Sequence, residues 1–589
     1  MTIREYTEDA VRKYLRTVLL VDDQLFGSKC ENVTRQEDVN LTDLTGVPDT
    51  AAGSVISSSA LGARSRQLDE ASQNPQDEAP SPETEAFSPQ NVVDGFYSFG
   101  IVCGLFQPKT SEFSNGVVPS SLVDLCDHSD VFILDWKLKD NQPDSPVPVL
   151  LKQLLDKDDS LGAPPRAVRF CAIYTDELLS TVFSILNSKI YDNSSDDSKK
   201  EDLQSFQMHL NGLTIRLYRK NNRAEADGSP TRFVSSSDLA KTIVQDFVTE
   251  YEGIMSATAL QGIAEVRDNA KRLLDKFPKG MNPAIVLHAG LTLKEKSIVA
   301  DMSSLLGDEI SSILNDMRVS PDDVYDLCAE YVNTCEENVF KRTNDNVFSG
   351  RATSATIRKF LTEVFKQKTY TPRSDDGLLE RVFNKNLDNI HLLNTFKIFV
   401  ERKSANAKDY MFGALSALFC QRTIYSKQKI LQFGTVVRKC SANGSSSQTY
   451  YLCLMPTCDS IRLEDNATDS SGSIYPVSHR FPFWKLDFVN TEGEQKTHGL
   501  CVKAEGQYRS LCAKGKIRDK FHLMDFYSRH KVVPFDESGT LTCADGSGKL
   551  EWIAELKSSH VQRIAERVSR EFSRVGLSES EWLRLQVDR

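Results

Sequence analysis

The sequence predicts an α/β domain built on a mostly parallel sheet, followed by an α-helical region and a small β-rich domain that ends in a helix. Three observations predict it. Short, unalternated apolar runs that each end in a polar residue recur up to about residue 220, with helical stretches between them. Strands buried on both faces of a parallel sheet read this way. The apolar period is then helical from about 251 to 425. From about Lys429, short strand-like runs separated by Gly, Ser, Asn and Asp take over, the spacing of a small barrel or sandwich.

The chain has 589 residues, too many for one core, and a prior of 100 to 200 residues per domain gives about three or four. We divide it into 1–250, with an inserted segment at 27–90, then 251–425, 426–550 and 551–589. A formal charge of -11 argues against a protein that coats nucleic acid or an acidic membrane. No apolar stretch approaches the roughly 18 residues of a membrane span, and Val18 to Val21 is too brief for a signal peptide, so a cytoplasmic protein is expected. The 13 cysteines are an odd number scattered through the chain, which suits a reducing compartment better than a disulfide framework. Cys453, Cys458, Cys501, Cys512 and His479 lack a second pair at finger spacing, so no zinc site is read from them.

Taken in order, Glu8 to Arg16 reads as a helix leading into the strand TVLLVDDQ, which ends in the adjacent carboxylates Asp22 and Asp23. The following segment to about Gln90 is rich in Ser, Asp, Glu, Pro and Ala, cannot offset its ordering entropy by burial, and reads as disordered. Ser98 to Phe106 is a second strand, and Leu122 to Cys126 lies on a helix. Val131 to Leu134 is a buried strand delivering Asp135. Val147 to Leu155 is helical, Arg166 to Glu177 gives a strand that presents Thr175, and Leu178 to Lys189 is helical. A polar stretch at Asn193 to Asp202 precedes a fifth strand, Leu213 to Lys220. In an open α/β sheet the site lies beyond the carboxyl ends of the strands, so Asp22, Asp23, Asp135, Thr175 and Lys220 come to one rim. Crowded carboxylates repel one another unless a hard divalent cation such as Mg²⁺ neutralises them, and a carboxylate beside such an ion is a competent nucleophile toward phosphorus.

This set, in its VDDQ, LDWK and YTDE contexts, resembles the receiver domain of two-component response regulators over residues 17 to about 250. The resemblance implies a flavodoxin-like α/β receiver domain with a five-stranded parallel sheet. It implies Asp135 as phosphoacceptor, with Thr175 and Lys220 sensing the phosphoryl group. Mg²⁺ would be held by Asp22, Asp23, Asp135 and the Lys137 backbone carbonyl. The implied partner is a histidine kinase or another phosphorelay protein. The sequence departs from the family pattern in the two inserted segments, in Asn221 where proline is usual, and in Tyr218, one position from the usual aromatic switch site. As a whole the chain is similar to the receiver proteins of bacterial anti-phage phosphorelays of the Detocs type, which implies a response regulator or phosphate sink in antiviral defence.

Beyond the receiver, a helical pattern at 238–277 could carry a signal, form a homodimer or simply pack in a core. Helical patterns follow at Thr292 to Asp316, Pro321 to Val339, Ser354 to Lys366 and Tyr410 to Phe419. No helix-turn-helix reader is found there, and Lys359, Lys366 and Lys368 read as a solvated face, so nucleic acid is not an expected partner. In the β-rich part Cys458 and Asp459 follow a strand, where a turn is the simpler reading than a site. The apolar stripe Val561, Ile564, Ala565, Val568, Phe572 and Val575 reads as a helix docking on its own domain, with Ser578 and Glu581 as a capping box beyond Gly576. Two alternatives to phosphorelay chemistry stay open at this point: a pseudo-receiver scaffold, and an effector enzyme that uses the β-rich domain.

Overall fold

The computed structural model describes residues 1–25, 87–109, 113, 118–138, 145–161, 168–190, 200–202, 206–210, 212–220, 232–291, 298–317, 321–334, 353–368, 407–424, 428–440, 446–461, 463–489, 499–504, 506–546 and 548–573. They form two compact units, one of Arg16–Leu154 with Ala167–Ile243, the other of Met1–Leu15, Leu155–Arg166 and Val244–Arg589.

The first unit is built on β1 (Thr17–Val21), β2 (Val102–Phe106), β3 (Val131–Leu134), β4 (Arg169–Thr175), β5 (Lys200–Asp202), β6 (Gln207–Leu210) and β7 (Leu213–Arg219), in the order β2-β1-β3-β4-β7-β6-β5. The first five in that order pair in parallel, giving the doubly wound flavodoxin-like arrangement. Their apolar runs are unalternated because both faces are covered: β3, β4 and β7 are buried at every position.

The expected five-stranded sheet is corrected to seven strands. An antiparallel hairpin of β5 and β6 is added at the edge of β7. Its attachment to β7 is local: Leu210 of β6 pairs with Leu213 of β7, the sequence between them is Asn-Gly, the strongest short hairpin signal, and Gly212 has φ 80. A second correction concerns the strand expected at Ser98 to Phe106, which begins only at Val102. Before it lies helix α2 (Pro89–Ser98), where Ser88 accepts from the Asn91 N–H at 3.3 Å and Pro89 opens the first turn. The expected disordered segment therefore overruns the start of this helix, and its residues 27–86 lie outside the described residues.

In the second unit, α1 (Ile3–Tyr14) starts at a capping box of Thr2 and Glu5. It packs on α7 (Ile254–Asp268), with Tyr6 Oη 3.0 Å from Thr258 Oγ1 and the Arg267 guanidinium donating to the Tyr14 carbonyl at 3.0 Å. The continuous helix expected at 238–277 is broken into α6 (Leu239–Glu250), α7 and α8 (Ala270–Asp275). Gly253 causes the first break: φ 157 with ψ 154 is open to glycine alone. Helices α9 (Asn282–Leu291), α10 (Ile298–Asn315), α11 (Pro321–Thr334), α12 (Ser354–Gln367) and α13 (Ala407–Cys420) follow. Lys359, Lys366 and Lys368 are exposed, as a solvated face requires. No described helix is long and apolar enough to cross a membrane.

Among the described residues the C-terminal strands form a nine-stranded sheet and a separate two-stranded ribbon, Asn466–Thr468 with Ile474–Pro476. Alternation sends the side chains of the sheet to two cores. Val436, Tyr450 and Leu452 enter one with Trp484, while Val437, Tyr451 and Cys453 enter the other with Phe481 and Phe526. Helix α14 (Ser558–Ser573) closes the first core with Val561, Ile564 and Val568, the docking expected of its stripe. Among the strand-like runs of this part, Lys531 to Phe535 forms isolated bridges, Ile430 to Pro534 and Arg529 to Val532, in place of a strand. The capping box at Ser578 and Glu581 lies outside the described residues.

Candidate functional site

The parallel ladder runs one residue past the strands and fixes the rim. Asp22 donates its N–H to the Phe106 carbonyl at 3.3 Å, Asp135 to that of Val21 at 2.9 Å, and Lys220 to that of Thr175 at 2.9 Å. These backbone bonds place one polar residue at the end of each strand before any side chain is considered.

The side chains then converge. One carboxylate oxygen from each of Asp22, Asp23 and Asp135 lies within 4.8 Å of the others. Lys220 Nζ stands between two of them, 2.8 Å from Asp22 Oδ2 and 3.2 Å from Asp135 Oδ1. The three side chains are nearly closed to solvent, with 8% of Lys220, 2% of Asp22 and 12% of Asp135 exposed. Asp22 Oδ1 also accepts the Gln24 N–H at 2.9 Å, and Gln107 donates to the Asp23 carbonyl at 2.7 Å, fixing the turn after β1.

Burial pushes the Asp135 carboxyl up to about 7; Lys220 opposes the rise, and Asp22 and Asp23 add to it. Burial disfavours the Lys220 ammonium, but the Asp135 and Asp22 carboxylates outweigh it and hold its pKa above the ordinary value. Three carboxylates with an oxygen each so close together make an all-oxygen donor set that suits a hard divalent cation such as Mg²⁺.

Thr175 ends β4, is 1% exposed, and its hydroxyl accepts from the Glu177 N–H at 3.1 Å. Lys137 is exposed and its ammonium pairs with Glu177, which raises its pKa. Cys458 and Asp459 lie in the short helix Thr457–Ser460, and the Asp459 side chain is exposed. Cys453, Cys501 and Cys512 are free, buried thiols, and the acidic triplet is the metal-capable group among the described residues.

The sequence reading missed Phe87, which it assigned to the disordered segment. Its ring centroid lies 4.6 Å from Lys220 Nζ, and Tyr174 stands 5.6 Å from the same atom. The signal was Phe-Ser-Pro at 87–89: an apolar residue before a capping serine and an N1 proline marks a chain entry that packs rather than hangs free.

No curated protein and no solved structure matches the chain. Residues 14–225 match the family model described as the response receiver domain, which spans the seven-stranded sheet and its acidic rim. The N-terminal part of this chain is a response receiver domain, the signalling module of two-component systems.

Proposed function

We propose that this protein accepts a phosphoryl group on Asp135 from a partner histidine kinase or another phosphorelay protein, and serves as a response regulator or phosphate sink. The observation that supports this reading is the Lys220 ammonium held between Asp22 and Asp135, beside a third carboxylate, at the carboxyl rim of a receiver sheet. In the step proposed, an Asp135 oxygen attacks phosphorus; the new O–P bond forms as the donor's N–P bond breaks, and the donor imidazole leaves with the electron pair. Lys220, 3.2 Å from Asp135 Oδ1, stands close enough to follow the charge onto the phosphoryl oxygens. The Thr175 hydroxyl, at the end of the neighbouring strand, would exchange its bond to Glu177 for one to the phosphoryl group. Asp22, Asp23, Asp135 and the Lys137 carbonyl would hold Mg²⁺, which when bound neutralises charge on the carboxylates and on the incoming phosphoryl group.

The test is incubation with acetyl phosphate and Mg²⁺, then with candidate kinases, read by intact mass. One added phosphoryl group that Asp135→Asn lacks is expected; no adduct from any donor would sink the reading. A pseudo-receiver scaffold is the second reading, favoured by the closed bonding of Lys220 onto two carboxylates. Titration calorimetry with Mg²⁺ separates the two, because the scaffold has no use for the ion. The role in anti-phage defence belongs to the same proposal and rests on the whole-chain resemblance.

A further inference from the structure

The Lys220 ammonium meets two kinds of group. Carboxylates hold it at 2.8 Å from Asp22 and 3.2 Å from Asp135. Two aromatic rings also face it, with centroids at 4.6 Å for Phe87 and 5.6 Å for Tyr174. Tyr174 is 1% exposed and is fixed by its hydroxyl, which donates to the Val234 carbonyl at 2.9 Å. Phe87 leans on it edge-on, with centroids 5.8 Å apart and planes at 63°, and is itself only partly buried. Tyr174 is thus the buried ring of the pair and Phe87 the outer one. The residue next to Phe87 is the helix cap Ser88, so the start of α2 fixes where the ring sits.

We propose that Phe87 is a positioning residue of the phosphoacceptor site: its ring pins the Lys220 ammonium toward Asp22 and Asp135 and shields the acyl phosphate formed there from water. This rests on the phosphoacceptor reading above and assigns the lifetime of the phosphorylated state to the segment that enters α2. The ring face attracts the ammonium through its quadrupole, and its bulk excludes solvent. The reaction that Phe87 slows is hydrolysis. A water oxygen bonds to phosphorus, the bond from phosphorus to the Asp135 oxygen breaks, and the products are the free carboxylate and dihydrogen phosphate. Lys220 oriented by Phe87 stays on the phosphoryl oxygens, and the path for that water is closed.

The experiment uses the full chain with Phe87→Ala, Phe87→Leu and Phe87→Trp. After loading with acetyl phosphate and Mg²⁺ and removal of the donor, loss of the phosphoryl group is followed by intact mass. Separately, in Mg²⁺-free buffer and with no phosphodonor, modification of Lys220 by trinitrobenzenesulfonate is timed by peptide mass. Phe87→Ala is expected to lose phosphate and to modify Lys220 about fivefold faster, the size of one cation–π contact. Phe87→Leu shifts both in the same direction, which keeps the test intact if the alanine variant does not fold, and Phe87→Trp restores both to the wild-type rates. Unchanged Lys220 modification in the alanine and leucine variants overturns the proposal, as does an unchanged phosphate lifetime in a chain that does load. If wild type takes no phosphate from any donor, the phosphoacceptor reading fails, and the modification rates still decide whether Phe87 holds Lys220.

Discussion

At the rim of the receiver sheet one buried ammonium lies between two carboxylates with a third beside them, whereas on the C-terminal sheet several cations each face a carboxylate on the neighbouring strand. There Arg438 has Glu551, Arg422 has Glu555 and Arg480 has Asp525. The consequences run in opposite directions. Burial among like charges pushes Asp135 up to about 7, while the Arg480 hydrogen bonds hold the Asp525 carboxyl below its ordinary value. A cation set against a carboxylate on the next strand ties two strands together; carboxylates clustered and buried at a strand end are what a cation site needs. The contrast sets the receiver rim apart from the pairs of the second sheet.

The largest effect expected of this contrast is a pH dependence that the ion abolishes. The folded Asp135 carboxyl is raised from 3.8 to about 7, so the folded state binds its proton more tightly than the unfolded chain does. This group's contribution to stability is therefore full below its unfolded value and is lost as pH rises to about 7. In Mg²⁺-free buffer, wild type should lose up to about 4 kcal/mol relative to Asp135→Asn between pH 4 and 8. Urea unfolding of both proteins across that range measures it, and parallel stability profiles would show that the rim does not raise the Asp135 carboxyl. Next in size, Lys220→Ala takes the ammonium from Asp22 and Asp135 and should cost the receiver about 3 kcal/mol. Added Mg²⁺ should recover much of that loss, since a ligand that binds only the folded state stabilises it. A variant as stable as wild type without Mg²⁺ would mean that the ammonium is decoration.

Much of this rim was legible from the chain alone, because strand-end chemistry is local. Asp22, Asp135, Thr175 and Lys220 each follow an apolar run, and parallel pairing of those runs brings them together whatever the loops do. What escaped has equally physical reasons. The strands β5 and β6 are short and half polar, and β6 with the Asn-Gly that leads into β7 falls between the polar stretch ending at Asp202 and the strand expected from Leu213, too brief for a periodic pattern to register. Phe87 lies at the end of a segment whose composition points to disorder, and a single aromatic does not shift that average. The helix expected at 238–277 failed at Gly253, where a periodic count of apolar residues does not register backbone φ. In the C-terminal part strand existence was readable, but sheet order depends on partners far apart in sequence, as with Lys549–Leu556 beside Thr435–Cys440.

The matched pairs supply the smaller tests. Arg438 faces Glu551 across the ladder, with Nη2 at 2.6 Å from Oε2, and is 9% exposed while Glu551 is 35% exposed. Arg438→Met should cost about 1 kcal/mol in urea unfolding, and adding Glu551→Leu should recover most of it, because removing both partners leaves neither group unmet. A double variant worse than the sum of the singles would show that this pair holds more than itself.

Smallest of all is the effect expected at Arg480, which is 66% exposed although it grips Asp525 at 2.9 and 3.0 Å. Exposed pairs are screened by water and salt, so Arg480→Ala should leave the unfolding midpoint at neutral pH within experimental scatter. The acid limb is where the pair shows. With its folded pKa depressed, Asp525 contributes stability above its unfolded value that is lost as pH falls through the lower folded value. Wild type should therefore lose slightly more than Arg480→Ala on acidification below about pH 4, and added salt should erase the difference. A large, salt-resistant loss in Arg480→Ala at neutral pH would break the comparison, since an exposed pair would then hold as much energy as the buried rim.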